Sequence, residues 1–372
     1  MDFGFSEEQE MLRAQARKFL EDQCPIPQVR KIAAGEDGYS KALWKQVADL
    51  GWLGLTIPEN QGGIGMDWVD LLVLLEETGR SLFPSPFISN TLAVSAISQF
   101  GSTEQQQQWL APLTDGTSIA TLALLDDEDN YSSDSIKLSG SADGDGYKLS
   151  GNKSFVQDAQ AADLFITAFR TGSGSNDIAL ALITADQAGV SVNLTTTLDR
   201  TKRSATLNLD SVSVNAGAVI ATGSAAIDHL INIGALAVSA ESIGVCEAIL
   251  DMTSQYAKDR HQFGHPIGHF QGVKHPLADV YVDIECMKSL TYYAAWSLST
   301  HQDDSDLAIA RAKAFASEKV CNAGVVGIQM HGAIGYTEEY DLQLYLKRSK
   351  WSRAQFGDED FHYDRVAAMG GM

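Results

Sequence analysis

Two short runs hold the residues best suited to chemistry. Arg260–His275 reads R-H-Q-F-G-H-P-I-G-H-F-Q-G-V-K-H, and its turn, Gly264-His265-Pro266-Ile267-Gly268, closes one expected helix and opens the next. Gln329–Thr337 reads Q-M-H-G-A-I-G-Y-T. The guanidinium of Arg260 can make charge-assisted hydrogen bonds to an anion, and the ring of Phe263 can pack on another ring. The same residues have plainer uses. Arg260 can end a helix, where a cation suits the macrodipole; Phe263 can be core, and Gln329 a satisfied polar group at an interface. Glu241 lies in an apolar stretch, where an acid is costly unless paired or functional. A buried ion pair or structural hydrogen bond is the ordinary reason for one there. The glycine-rich Ile57–Gly65 is expected as a tight connector with positive φ, because no strand–GxGxxG–helix context surrounds it.

Composition bounds the rest. The 372 residues are 44% hydrophobic and carry a net charge of −21, which argues against nucleic-acid or anionic-membrane partners. No run of eighteen apolar residues is present, so no membrane-spanning helix is expected. The first residues are acidic and lack a signal-peptide pattern. Cys24, Cys246, Cys286 and Cys321 lack metal-like spacing, so no metal site is expected and the cysteines read as reduced, buried thiols of a cytoplasmic protein.

The elements that must position the two runs fall into three textures. Helical spacing dominates first: Ser6 precedes Gln9 as in a capping box, and Leu43–Leu50, Val69–Leu75 and Gln105–Leu113 are further helices. Short strand-like runs follow at Ile119–Leu125, Ile136–Leu138, Tyr147–Ser150, Leu164–Arg170, Ile178–Thr184, Val190–Leu194 and Ala205–Val214. Ser139–Gly146 and Thr171–Asn176 are expected as hairpin turns. Three long helices close the chain: Ile227–Ser254, buried on most sides; Phe270–Trp296, kinked or starting late because of Pro276; and Ala308–Gln329, whose small residues allow close packing. The expected class is α+β, with a helical domain at 1–116, an antiparallel β-barrel or sandwich at 117–223 and a helical bundle at 224–372.

In this order the motifs resemble the acyl-CoA dehydrogenase family over essentially the whole chain. Gly51-Trp-Leu-Gly-Leu, Ile57-Pro-Glu, Glu76-Glu-Thr-Gly79 and Thr103–Leu110 are similar to its N-terminal domain. Arg260–His275 and Gln329–Gly335 are similar to its C-terminal four-helix bundle. The resemblance implies FAD and an acyl-CoA thioester substrate. A carboxylate removes the α-proton, a β-hydride passes to the flavin, and a 2-enoyl-CoA results. It implies Arg260 at the FAD pyrophosphate, Phe263 on its rings, Gln271 and Gln329 as amide contacts, and Gly332 as the residue admitting the phosphates, all on a neighbouring subunit's FAD. Electrons are expected to leave to an electron-transfer flavoprotein.

The chain departs from the family where its own flavin and base would stand. The T-E-P-x-x-G-S-D-like loop is Leu125–Asp134 here, and the G-x-K-x-W-I-T-N-like strand is Gly151–Asp158, with Phe155 for the tryptophan and Gln157 for the hydroxyl residue at flavin N5. The two family positions of the base hold Phe356 and Gly234. Asp358, Asp360 and Glu241 are the acids left to consider, and a helix cap or turn residue is the favoured reading of Asp358. Retained residues cluster in the half lent to a neighbour. The expectation is therefore a subunit that completes the FAD site of a homologous partner in an α2β2 enzyme, resembling the less complete subunit of those acting on bulky steroid side-chain CoA thioesters. A homo-oligomer with a relocated base such as Asp358, a flavin-free scaffold, and a flavin oxidase on the same fold are the alternatives.

Overall fold

The computed structural model describes residues 5–126 and 130–372. Six helices come first: α1 Glu7–Gln23, α2 Ile26–Ala34, α3 Lys41–Asp49, α4 Trp68–Arg80, α5 Phe87–Phe100 and α6 Thr103–Thr114. Strands follow: β1 Ala120–Ala123, β2 Gly140–Asp143, β3 Gly146–Gln157, β4 Leu164–Arg170, β5 Ile178–Thr184, β6 Val190–Thr195, β7 Ser204–Val214 and β8 Val219–Thr222. Then come α7 Ser224–Asp259, the short strands β9 His261–Gln262 and β10 His265–Pro266, and helices α8 Gln271–Ser299, α9 Ser305–His331, α10 Leu342–Ala354 and α11 Glu359–Met369. The expected order of helices, sheets and helices is what the structure shows. Two compact units form: one from the chain up to Arg30, Trp68–Phe83 and Ala235–Met372, the other from Lys31–Asp67 and Pro84–Gly234.

Local chemistry explains the boundaries. Ser6 and Ser102 each cap a helix by accepting from the backbone N–H of Gln9 or Gln105, whose side chain returns a bond to the cap, satisfying two otherwise orphaned donors. Asn90 on α5 donates to Leu113 O at 3.0 Å and accepts from Ala120 N at 3.0 Å, fastening the end of α6 and the start of β1 to one side chain. Pro276 does not delay α8. The helix begins five residues ahead of it, at Gln271, so the proline falls early enough to cost a single ladder bond.

The strands form two four-stranded sheets, ordered β1-β4-β5-β8 and β2-β3-β7-β6. All pairs within them are antiparallel except β1 with β4, which is parallel. Leu149, Val156, Phe165, Phe169, Ala181 and Leu207 share one core. β4 and β5 are buried on both faces, which is why they read as unbroken apolar runs rather than alternating ones. Ile136–Leu138, expected as a strand, is irregular; the strand starts at Gly140, inside the segment expected as a turn, and only Gly144-Asp145 turns. The reason is Arg170, which takes Ile136 O with its Nε and Leu138 O with its backbone N–H. β8 had no counterpart in the sequence reading.

In the other unit α4 and α7 cross at glycines. A Cβ on Gly79 would stand 2.0 Å from Glu241 O, and one on Gly244 would stand 1.8 Å from Glu76 O, so neither position tolerates a side chain. α9 likewise turns Gly324 and Gly327 against its neighbours, as its small residues led us to expect. α7 is apolar and long enough to cross a membrane by composition, but 89% of its most apolar window is buried inside the protein. Cys24 and Cys246 are buried and Cys321 is half-buried, whereas Cys286 is exposed, against the expectation of uniformly buried thiols. Its helical position on α8 faces outward.

Glu76 is fully buried, pairs with Arg13 at 2.7 Å and accepts from the Tyr292 hydroxyl. Burial outweighs both partners and pushes its carboxyl from 4.5 up to about 7. Between those values the native state binds more protons than the unfolded one, so this group's contribution falls as pH rises through the window. Glu76→Gln is expected to flatten the stability decline between pH 4.5 and 7 by up to about 3 kcal/mol, read from urea unfolding at each pH. Parallel curves for the two proteins would contradict it.

Candidate functional site

The two motif runs meet through one ring stack. α7 ends at Asp259, and Tyr256, one turn earlier, stacks on His331 at the end of α9, with centroids 4.3 Å apart and planes 25° apart. His331 is tied by Nδ1 to Gly327 O at 2.8 Å and by Nε2 to the Tyr340 hydroxyl at 3.1 Å, and burial lowers its pKa. Neither Tyr256 nor His331 was singled out from sequence, though His331 lies inside the second motif. The signal available was an aromatic residue one turn before the first motif and a histidine inside the second.

Beyond Asp259 the chain forms a tight hairpin in which His261–Gln262 pairs with His265–Pro266. The two turn residues, Phe263 (φ +54°) and Gly264 (φ +80°), are both left-handed, as a two-residue turn of this type demands. Glycine meets that demand without cost; phenylalanine does not. Phe263 is also 87% exposed, so it is not core. Arg260 and Gln271 are exposed, and neither side chain has a partner among the described residues. Gln329 is exposed as well, so it is not a satisfied polar group within this chain. Gly332 ends α9 at φ +66°, ψ −145°, close to a region only glycine enters readily, and a Cβ there would meet no atom within 4 Å. The backbone therefore requires glycine while the surrounding space stays open. An exposed guanidinium, two amides, a strained aromatic ring and an open glycine edge together fit an anionic ligand with flat rings.

The second candidate half lies in the other compact unit. β3 carries a bulge: Lys153 pairs with Leu207 and Val156 with Ala205, so one extra residue is inserted. Phe155 sits in that bulge at φ +54° and is 45% exposed, which re-aims its ring away from the core that holds Val156. Gln157 donates to Phe155 O at 3.0 Å, so its amide braces the bulge. Beneath it lies a buried ion pair that sequence reasoning missed. Lys153 is fully buried and meets Asp126 at 2.9 Å, while also donating to Leu124 O at 3.1 Å. Asp126 in turn accepts from Lys137 N at 2.6 Å and Leu138 N at 3.3 Å. Burial lowers the Lys153 ammonium from 10.5 to about 8 despite its partner. The expected loop at Leu125–Asp134 is thus anchored at Asp126; its residues 127–129 lie outside the described residues.

The acids are placed as follows. Asp358 is the N-cap of α11, and its carboxylate accepts from Phe361 N at 3.1 Å. Asp360 is exposed in the first turn of the same helix. Glu241 is buried and paired with Arg348 at 3.1 Å, the ordinary reason for an acid in an apolar helix. Phe356 is buried at φ +56°, and its carbonyl is bonded to His362 Nε2 at 2.8 Å. Gly234 lies within α7. Lys313, fully buried, donates to Ser352 O at 3.2 Å and Arg353 O at 2.9 Å, closing the last turn of α10 just before Phe356.

Family models for the N-terminal and C-terminal domains of acyl-CoA dehydrogenase match residues 6–117 and 221–370. The acyl-CoA dehydrogenase IpdE2 of Mycolicibacterium smegmatis is 32% identical over 353 residues, covering 95% of each chain. The chain belongs to the acyl-CoA dehydrogenase family. By that membership it is a FAD-dependent oxidoreductase of the class acting on CH–CH donors. Among solved structures, the ChsE4-ChsE5 complex from Mycobacterium tuberculosis aligns with a TM-score of 0.92 at 27% identity, covering 100% of this chain and 99% of that one. A variant of the Tcur3481-Tcur3483 steroid ACAD aligns with a TM-score of 0.89 at 30% identity, covering 98% of each.

The Asp126–Lys153 pair supports a direct test. Asp126→Asn leaves a buried ammonium uncompensated and is expected to cost about 3–5 kcal/mol at pH 7. Without Asp126 the folded pKa of Lys153 falls below the parent's value of about 8, so the variant's native state sheds that proton first; the deficit shrinks as pH rises to about 8 and is level above it, where both native states have lost the proton. A pH-independent deficit in denaturant unfolding would refute this account.

Proposed function

We propose that this chain is the subunit that completes a homologous partner's FAD site in a heteromeric acyl-CoA dehydrogenase, acting on a bulky, steroid-type acyl-CoA and passing electrons to an electron-transfer flavoprotein. One observation carries the reading. The residues suited to a neighbour's cofactor stand exposed, while the two family positions of the base hold a buried phenylalanine and a helical glycine. Likeness to the ChsE4-ChsE5 complex and to the steroid ACAD supports the assembly and the substrate class.

In this reading Arg260 neutralises the pyrophosphate, Gln271 and Gln329 donate amide hydrogens to the dinucleotide, Gly332 lets it approach the backbone, and Phe263 covers a ring. FAD supplies the hydride acceptor; the partner subunit supplies the carboxylate that takes the α-proton. In the chain's own half Phe155 and Gln157 present a ring and an amide, without an acid to work beside them. In this reading Asp358 caps α11 rather than acting as the base; its carboxylate accepting from Phe361 N supports that role.

The chain purified alone is expected to hold little flavin and to be inactive, and co-expression with a homologous subunit that carries the base should give about one FAD per pair. Stoichiometric flavin with turnover in the isolated chain would overturn the proposal. Within the active complex, Arg260→Ala on this chain should raise the FAD dissociation constant at least about tenfold, the scale of one charge-assisted contact. Asp358→Asn preserves the cap and should leave kcat unchanged; a drop of a hundredfold or more would restore Asp358 as the base.

A further inference from the structure

The segment around the hairpin holds cations that the cofactor reading does not use. Lys258 stands in the last turn of α7 and Lys274 in the first turn of α8, and with Ser254, Ala257, Gly268 and Leu277 they line an open cleft of about 350 Å3. Gly268 shapes its floor: a Cβ there would lie 3.2 Å from Ala257 O, so the turn before α8 packs closely on the end of α7. The floor is apolar and the rim is cationic. Neither ammonium group has a partner among the described residues. Asp259, the nearest acid in sequence, accepts from Gln255 at 2.9 Å, on the helix face beside that of Ser254 and Lys258. α8 starts without a side-chain cap or an acid in its first turn, so the positive end of a 29-residue helix borders the same cleft. In a chain of net charge −21 this is a local reversal of sign at a concave, partly apolar surface.

We propose that this cleft binds a phosphorylated organic molecule. Its phosphate sits between Lys258 and Lys274, with the Ser254 hydroxyl as a further donor, and its apolar body lies on Ala257, Gly268 and Leu277. An adenosine phosphate has this chemistry, whether as a free nucleotide or as the nucleotide end of a CoA thioester. The cleft lies within one compact unit, so the proposal does not depend on the assembly proposed above.

The test is calorimetric titration of the purified full chain, without added FAD, with adenosine 3′,5′-bisphosphate, ADP, adenosine and inorganic phosphate. At least one nucleotide should bind about tenfold or more tighter than inorganic phosphate or adenosine, and less tightly as salt rises. Lys258→Gln and Lys274→Gln should each weaken that binding about tenfold, while the corresponding arginine variants retain it. Preference for the bisphosphate would assign the CoA end, and preference for ADP a free nucleotide. Arg260→Gln should weaken that binding less than either lysine variant; if it weakens it as much or more, the ligand sits in the cofactor half-site and the proposal fails. It fails equally if the lysine variants bind as well as the parent, if inorganic phosphate binds as tightly as the nucleotides, or if no probe binds.

Discussion

The crossing of α4 and α7 at Gly79 and Gly244 is the constraint on which its compact unit depends. The backbones touch there because each glycine lies against the carbonyl of a glutamate on the other helix, Glu241 or Glu76. Contact this close leaves no room for water around those two acids, so both are buried, and an uncompensated buried carboxylate would cost several kcal/mol. Each therefore brings in a cation from elsewhere in the chain. Arg13 of α1 reaches Glu76, with Tyr292 of α8 as a second donor, and Arg348 of α10 reaches Glu241. One pair of glycines thus draws three further helices, α1, α8 and α10, to the crossing of α4 and α7. α7, held in this way, carries the hairpin at its far end.

The same logic recurs on a smaller scale in the β region. Phe155 is left-handed, partly exposed and set in a bulge, an arrangement that costs free energy locally. It persists because the strand beneath it is pinned by the Asp126–Lys153 pair and braced by the Gln157 amide. Phe263 is the corresponding case on the hairpin, rooted by the Tyr256–His331 stack below it. In both places an aromatic ring is held out in a strained conformation beside a paired anchor, buried under Phe155 and partly buried under Phe263. That combination suits a ring meant to be covered by something else.

These anchors explain which parts of the molecule were legible in the sequence. The capping boxes and the continuous apolar strands β4 and β5 could be read because their signals are local: a cap and its partner are three residues apart, and a strand buried on both faces is apolar throughout. Ile136–Leu138 could not, because its apolar side chains look like a strand while its carbonyls are taken by Arg170, more than thirty residues away. Lys153 and Asp126, and likewise Tyr256 and His331, are each far apart in sequence and carry no pattern of their own. Exposure of Arg260 and Phe263 was implied by family resemblance, but the left-handed turn that presents Phe263 came only from the backbone. Glu241 shows the reverse: burial of an acid was readable, and its partner was not.

The turn at Phe356-Gly357 is held through carbonyls of its own and of the helix before it. Both residues are left-handed, and Phe356 is buried. Its carbonyl is held by His362, and the preceding end of α10 is closed by Lys313 through Ser352 O and Arg353 O. Asp358 then starts α11 by capping it. Side chains from outside the turn, His362 and Lys313, thus hold its path through main-chain carbonyls, and none of these bonds needs a carboxylate at 356. Under the function proposed above, a chain built this way keeps the helices that position Arg260, Gln271 and Gln329 without needing a carboxylate at 356, and that separation of folding from chemistry is what a division of labour between homologous subunits would require.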